Sequence, residues 1–276
     1  LSALATQPNA TVWMWSVGQW DPDSTACFID ILQHPVLKAR LQLKTFSPLP
    51  ELERITSLSD EDRELCGRVA TGEGGVEQNL SDLRRYILLF NYGGFWVDTD
   101  VMLLRPLALL GGHSFVYECT EFRSYVPFLP IYYRRGSVMN GAVMGSGGPA
   151  SAFILACLRY LLRDVRAGSS GDYYRWAGSL FRALHGQARE AGRPPPFLVL
   201  PCVWFDPSWG DPFPGTSLIK RDAFTRNASA EDVDALLAAE PSFALHLHGE
   251  MFSVAELSGG SFAQSAMRRW EAGLGL

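Results

Sequence analysis

The sequence predicts an α/β fold, and three stretches carry the prediction. "TVWMWSV" at 11–17 is rich in β-branched and aromatic residues and ends on Gly18, as a buried strand does. A short apolar helix, "ACFIDILQHPVL" (26–37), ends near Pro35 and is followed by the alternating "ARLQLKTF" (39–46). Strand, helix, strand in that order opens a parallel sheet. Further on, a helical pattern that starts at Asn79 runs into the short apolar strand "FWV" (95–97). The strands "SFVYEC" (114–119) and "AVMGS" (142–146) then precede an amphipathic helix, "SAFILACLRYLLRDV" (151–165).

Residues 47–78 are polar and contain glycine, a loop with one short helix around "SDEDRELCGRVA" (59–70). In the next helix Leu80, Leu83, Ile87 and Phe90 recur at helical spacing behind Asn79 as N-cap. Asn91-Tyr92-Gly93-Gly94 closes that helix with glycines able to take positive φ. A helix over "YYRWAGSLFRALHGQAREA" (173–191), a strand "FLVLP" (197–201), a helix over "EDVDALLAAE" (231–240) and a last strand "SFALHLHG" (242–249) complete the reading. No linker divides the chain, so residues 1–276 read as a single domain.

The net charge of −5 and the lack of any basic block argue against nucleic acid as a partner. No apolar run approaches the roughly 20 residues of a membrane span. Five cysteines without a Cys-x-x-Cys pair argue against a zinc site and leave room for one or two disulfides. Asn9, Asn79 and Asn227 each open an Asn-x-Ser/Thr triplet, a lean toward the secretory pathway. The opening "LSALATQPNATVWMW" lacks an initiator Met and a charged leader, as a trimmed chain would.

Asp98 and Asp100 stand one residue apart where "FWV" ends. On a strand they would face the same side, and two buried carboxylates without a counter-ion are costly. A hard divalent cation, Mn²⁺ or Mg²⁺, supplies the missing charge and keeps positions open for substrate phosphates. The plainer reading is a solvated turn that both aspartates decorate. Asp82 and Arg85, at i and i+3, share a helix face roughly opposite the apolar stripe. They are either a surface pair worth a few tenths of a kcal/mol or groups that reach a ligand's hydroxyls.

The run "LSDLRRYILLFNYGGFWVDTD" resembles the signature of the DxD glycosyltransferases with a sugar-binding region. That group includes α1,4-galactosyl- and α1,4-N-acetylglucosaminyltransferases, initiating α-mannosyltransferases and, more distantly, the clostridial glucosylating toxins. Ser81, Asp82, Arg85, Gly93, Gly94, Asp98 and Asp100 match in unbroken register, with weaker echoes at "MNGAVMGS" (139), "LPCVWFDP" (200) and "ALHLHG" (244). Trp96 departs from the usual Tyr, and His246-Leu247-His248 stands where a His-x-Trp is usual.

The resemblance implies a GT-A fold, a Rossmann-like mixed sheet flanked by helices, and a retaining transfer from a nucleotide sugar with Mn²⁺ or Mg²⁺. The donor would be a UDP-sugar, with GDP-mannose as the alternative, and the acceptor a hydroxyl of a glycan, glycolipid or glycoprotein. Residue by residue, it places Trp15, Asp82, Arg85 and Asp98 on the donor and Asp98, Asp100 and Asn140 in catalysis. Asp98, Asp100 and His246 would hold the metal, with His248 as the alternative to His246. The resemblance also points to the Golgi lumen or secretory pathway, as the luminal part of a membrane-anchored enzyme. The aromatic loop 204–215 is a candidate acceptor wall. Retention would use either a carboxylate nucleophile, for which Glu118, Glu121, Asp206 and Asp211 are conceivable, or a front-face path in which leaving phosphate and acceptor hydroxyl share one side.

Two other classes compete. An aspartyl-phosphate phosphohydrolase also places Asp-x-Asp after an apolar strand. It wants that motif near the start of the chain, a downstream lysine and a second acidic pair, whereas Lys220 is the last lysine and no Asp-Asp occurs. A non-catalytic carbohydrate-binding protein is suggested by the eight tryptophans.

Overall fold

The computed structural model of the chain describes residues 1–72, 77–126, 129–168, 175–207, 229–239, 242–247 and 261–276. Its strands are β1 (Val12–Ser16), β2 (Leu41–Thr45), β3 (Phe95–Val97), β4 (Val101–Leu103), β5 (Ser114–Val126), β6 (Leu129–Ser146), β7 (Leu198–Pro201) and β8 (Ala244–His246). The helices are α1 (Ser2–Thr6), α2 (Pro22–Thr25), α3 (Ile29–Gln33), α4 (Pro48–Glu53), α5 (Asp60–Ala70), α6 (Glu77–Tyr92), α7 (Ala152–Arg166), α8 (Leu180–Glu190), α9 (Ala230–Ala239) and α10 (Phe262–Leu274). The α/β class is therefore as expected, with both parallel and antiparallel pairings.

The chain forms two compact units, each assembled from separate segments. The first comprises Leu1–Phe46, Thr99–Leu109 and Cys202–Leu276, and the second Ser47–Asp98 and Leu110–Pro201.

In the first unit β1 and β2 are parallel, Val12 opposite Leu41 through Ser16 opposite Thr45, as the strand–helix–strand opening predicts. β4 pairs antiparallel with β8, and Val101 faces His246. Met102, Leu104, Val233, Leu245, Phe262 and Trp270 form one apolar cluster, so α9 and α10 pack where β4 and β8 meet. Ser261 caps α10 by accepting from the Gln264 N–H at 3.3 Å.

The second unit holds a four-stranded sheet in the order β3-β6-β5-β7. β3 lies antiparallel to β6, β6 antiparallel to β5, and β5 parallel to β7. "SFVYEC" and "AVMGS" thus belong to longer strands than their apolar cores suggest. The predicted helix from 173 opens with a single π turn, Arg175–Ser179, before α8; residues 173–174 lie outside the described ones. The short helix predicted around 59–70 is α5, capped by Ser59 through the Asp62 N–H.

α6 differs from its expectation in two ways. It starts at Glu77, so Asn79 sits inside the helix rather than capping it, and Asn79 is fully buried. A fully buried asparagine offers no acceptor for a glycan, which removes one of the three triplets. The helix is also buried on every side: besides the Leu80/Leu83/Ile87/Phe90 stripe, Tyr86, Leu88 and Leu89 are buried, and so are Asp82 and Arg85. A helix apolar in only one stripe belongs at a surface; this one lies inside the core. The surface-pair reading of Asp82 and Arg85 is overturned by that burial.

The end of α6 is tightly fixed. Gly93 takes φ +71°, and a Cβ there would lie 2.7 Å from the Gly148 carbonyl carbon and the Pro149 nitrogen. Asn91 Nδ2 and the Tyr92 hydroxyl each donate to the buried Glu51 carboxylate at 2.8 Å, which ties α4 to this end. Cys119 and Cys202 are each disulfide-bonded, whereas Cys27, Cys66 and Cys157 are thiols. No helix among the described residues is long and apolar enough to cross a membrane.

Candidate active site

β3 ends at Val97, and Thr99 and Asp100 form the turn that leads into β4. The two aspartates therefore do not alternate along one strand, and the same-side argument made from strand period does not apply to them. β3 is antiparallel to its neighbour β6 rather than a strand of an open parallel sheet. Asp98 falls in the second unit and Asp100 in the first.

In the second unit Asp98 continues the β3–β6 ladder, its N–H donating to the Ala142 carbonyl at 2.8 Å. That register sets its carboxylate beside the side chains of α6. Arg85 Nη2 donates to Asp98 Oδ1 at 3.0 Å and Oδ2 at 3.4 Å, while Arg85 Nη1 lies 3.2 Å from Asp82 Oδ1. The indole N–H of Trp96 donates to Asp98 Oδ1, and the Arg85 guanidinium stacks 5.2 Å from the Trp96 ring centroid. One arginine, 5% exposed, thus bridges two carboxylates and lies over an indole.

Burial is the largest single influence on Asp82 and on Arg85, but it prevails only for Asp82. It pushes the Asp82 carboxyl up to about 6; Arg85 opposes that rise and Asp98 adds to it. For Arg85 burial works against the cation, but Asp98 and then Asp82 outweigh it and hold the guanidinium's pKa above its ordinary value.

Arg85 has this place because residue 141 is glycine. A Cβ on Gly141 would lie 2.7 Å from Arg85 Nη1 and 3.3 Å from the Phe181 ring. Asn140-Gly141, which in sequence reads most simply as a turn, is strand here, with Asn140 paired to Tyr117. Asn140 Oδ1 accepts from the Ala142 N–H, two residues on, at 2.7 Å, and the residue is half-buried. The structure therefore brings Asp82, Arg85 and Asp98 together and sets Asn140 on the strand alongside.

In the first unit the β4–β8 register brings Asp100 and His246 together. The Leu247 N–H donates to the Asp100 carbonyl at 2.8 Å, and His246 Nε2 lies 3.4 Å from Asp100 Oδ2. Two ligands at right angles on one six-coordinate ion stand about 3 Å apart. An imidazole nitrogen and a carboxylate at this separation fit a divalent ion. His248 lies outside the described residues, as do the side chain of Glu121, Asp211 and the 208–215 part of the loop read as an acceptor wall.

Trp15 is half-buried on β1, its ring meeting Trp13 edge-on at 6.1 Å. The Lys44 ammonium lies 4.9 Å from the Trp13 centroid, and the indole N–H of Trp20 donates to the Lys44 carbonyl at 3.0 Å. The aromatic group at the ends of β1 and β2 is thus larger than the sequence reading of Trp15 alone.

Residues 33–117 match the family described as "Glycosyltransferase sugar-binding region containing DXD motif". The DXD resemblance holds. This DXD region includes Asp82, Arg85, Asp98 and Asp100, whereas Trp15, Asn140 and His246 lie beyond it. No curated protein matches the chain. A solved structure titled "PaToxG Glycosyltransferase" is similar at a TM-score of 0.44 and 13% identity, over 68% of this chain. The chain spans 61% of the length of that relative. What the DXD region supports is sugar transfer in general.

Three contributors were not legible as such beforehand: Trp96 as a donor to Asp98, Gly141 as the space for Arg85, and Asp206, which lies beside His246. Trp96 was marked only as a departure from the usual Tyr and Asp206 only as a conceivable nucleophile, while Gly141, just ahead of the predicted strand 142–146, carried no such signal.

Proposed function

We propose that this protein is a metal-dependent, retaining glycosyltransferase that moves a hexose from a nucleotide sugar to an acceptor hydroxyl. The donor is a UDP-sugar in the first instance, with GDP-mannose as the alternative. The acceptor is a glycan, glycolipid or glycoprotein in the Golgi lumen or elsewhere in the secretory pathway.

The observation that carries the reading is the buried Asp82–Arg85–Asp98 bridge inside the DXD region. A cation buried between two carboxylates is hard to rationalise as packing, because an apolar trio of similar volume is often at least as stable. In a sugar-transfer site the same bridge has a use. Asp82 and Arg85 offer an acceptor and a set of donors for sugar hydroxyls, and Arg85 with Trp96 fixes the rotamer of Asp98 before the donor arrives. Asn140 lies on the strand beside this group and is assigned to contact donor or acceptor. Trp15 is assigned to stack on the donor base.

The metal set proposed is Asp98, Asp100 and His246. The Asp100–His246 separation supports two of them, and Asp98 joins by its place two residues from Asp100 in the motif. A bound Mn²⁺ neutralises the charge that develops on a departing diphosphate. The test is binding of a nucleotide sugar and of its bare nucleoside diphosphate to wild type and Asp82→Ala, each with Mn²⁺. Losses confined to the nucleotide sugar support the reading, and equal losses contradict it.

A further inference from the structure

Asp206 is a carboxylate that the proposed function does not use. It is 1% exposed, so no substrate reaches it, which removes it from the conceivable nucleophiles. Its Oδ2 lies 3.7 Å from His246 Nδ1, while the other ring nitrogen, Nε2, faces Asp100. The histidine is therefore bracketed by one carboxylate on each nitrogen. The two ends differ: Asp206 is buried, whereas the Asp100 side chain is 34% exposed.

The backbone around Asp206 is held in a way that fixes this bracket. The N–H groups of Phe205 and Asp206 both donate to the Cys202 carbonyl, at 2.9 and 2.7 Å, closing a tight turn. Ser242 Oγ donates to the Val203 carbonyl at 2.7 Å, and the Phe243 N–H donates to the Trp204 carbonyl at 2.6 Å. The Phe205 and Phe243 rings stack at 6.1 Å with 22° between planes. The turn that carries Asp206 is thus clamped to the entry of β8, three residues before His246. All of these groups belong to the first unit.

We propose that Asp206 is a positioning residue: across 3.7 Å, longer than a formed hydrogen bond, its carboxylate draws the His246 proton to Nδ1, favours that tautomer and ring orientation, and leaves the Nε2 lone pair directed toward Asp100. A carboxylate behind a ligating imidazole raises its basicity and holds the nitrogen that binds metal in the unprotonated form. The metal-binding consequence rests on the proposed function; the tautomer and orientation do not.

Two measurements on the full chain separate them. The first is ¹⁵N NMR of the histidines in the metal-free protein at about pH 9, where an ordinary imidazole is neutral. Wild-type His246 is expected to carry its proton on Nδ1, Asp206→Ala to lose that preference, and Asp206→Asn to keep it, since the amide oxygen still accepts. Circular dichroism checks that the variants fold. A His246 proton on Nε2 in wild type, or a tautomer unaffected by Asp206→Ala in a folded protein, overturns the proposal. The second is Mn²⁺ affinity by electron paramagnetic resonance without donor. Asp206→Ala is expected to bind about 10- to 100-fold more weakly, with Asp206→Asn recovering part of the loss. Should His246→Ala bind Mn²⁺ as wild type does, the metal reading fails while the tautomer result still decides the role of Asp206.

Discussion

Asp82→Asn tests whether burial or the neighbouring arginine governs the α6 carboxylate. Asp82 is 6% exposed, and burial raises its pKa from 3.8 to about 6 despite Arg85 at 3.2 Å. The folded carboxyl therefore binds its proton more tightly than the unfolded one. Between about pH 4 and 6 the folded state holds the extra proton, so the contribution to stability is full below the unfolded value and is lost as pH rises through the folded one. A rise of this size corresponds to about 3 kcal/mol. Asparagine keeps the shape and removes the titration. The assay is urea unfolding of wild type and variant in chelator, at several pH values from about 4.5 to 7.5. The difference between them cancels the titrating groups that Asp82 does not touch, and over that pH range it should move in favour of the variant by about 2 kcal/mol as pH rises. A difference that stays flat, or moves in favour of wild type, would show that Arg85 outweighs burial.

The other predictions concern the same two groups. Asp82→Ala should weaken nucleotide-sugar binding about ten- to a hundredfold, the worth of a buried charge-assisted hydrogen bond, while sparing the bare nucleoside diphosphate in calorimetric titration. Gly141→Ala places a methyl 2.7 Å from Arg85 Nη1, so it should displace the guanidinium and cost about 1–3 kcal/mol by urea unfolding; an unchanged midpoint would contradict that packing. His246→Ala should require clearly more Mn²⁺ for activity, with part of it returning at saturation; an unshifted metal titration rules the imidazole out as a ligand.

The legible parts of the fold are those set by local pattern. The 3.6-residue stripe of α6, the strand–helix–strand opening and the positive-φ glycines after Tyr92 follow from residue spacing and backbone sterics alone. The direction of β3 does not, because "FWV" is three apolar residues that pair equally well either way, and its antiparallel partner lies more than forty residues on. Asp82 and Arg85 read as a polar face because charge normally marks solvent. Tertiary packing of α7, α8 and β6 around α6 reverses that, and nothing within the helix announces it. The resemblance named Asp100 and His246 together, and their side chains lie 3.4 Å apart. The place of Asp206 was not legible, since its relation to His246 depends on a turn forty residues away in sequence folding back onto β8.

The most direct test of the central claim is turnover of a panel of UDP- and GDP-sugars by the full chain, with Mn²⁺ and with chelator, in wild type and Asp100→Asn. The account predicts hydrolysis or transfer from at least one nucleotide sugar with Mn²⁺, abolished by chelator and lost in a folded Asp100→Asn. Turnover that survives both the chelator and the substitution would contradict it.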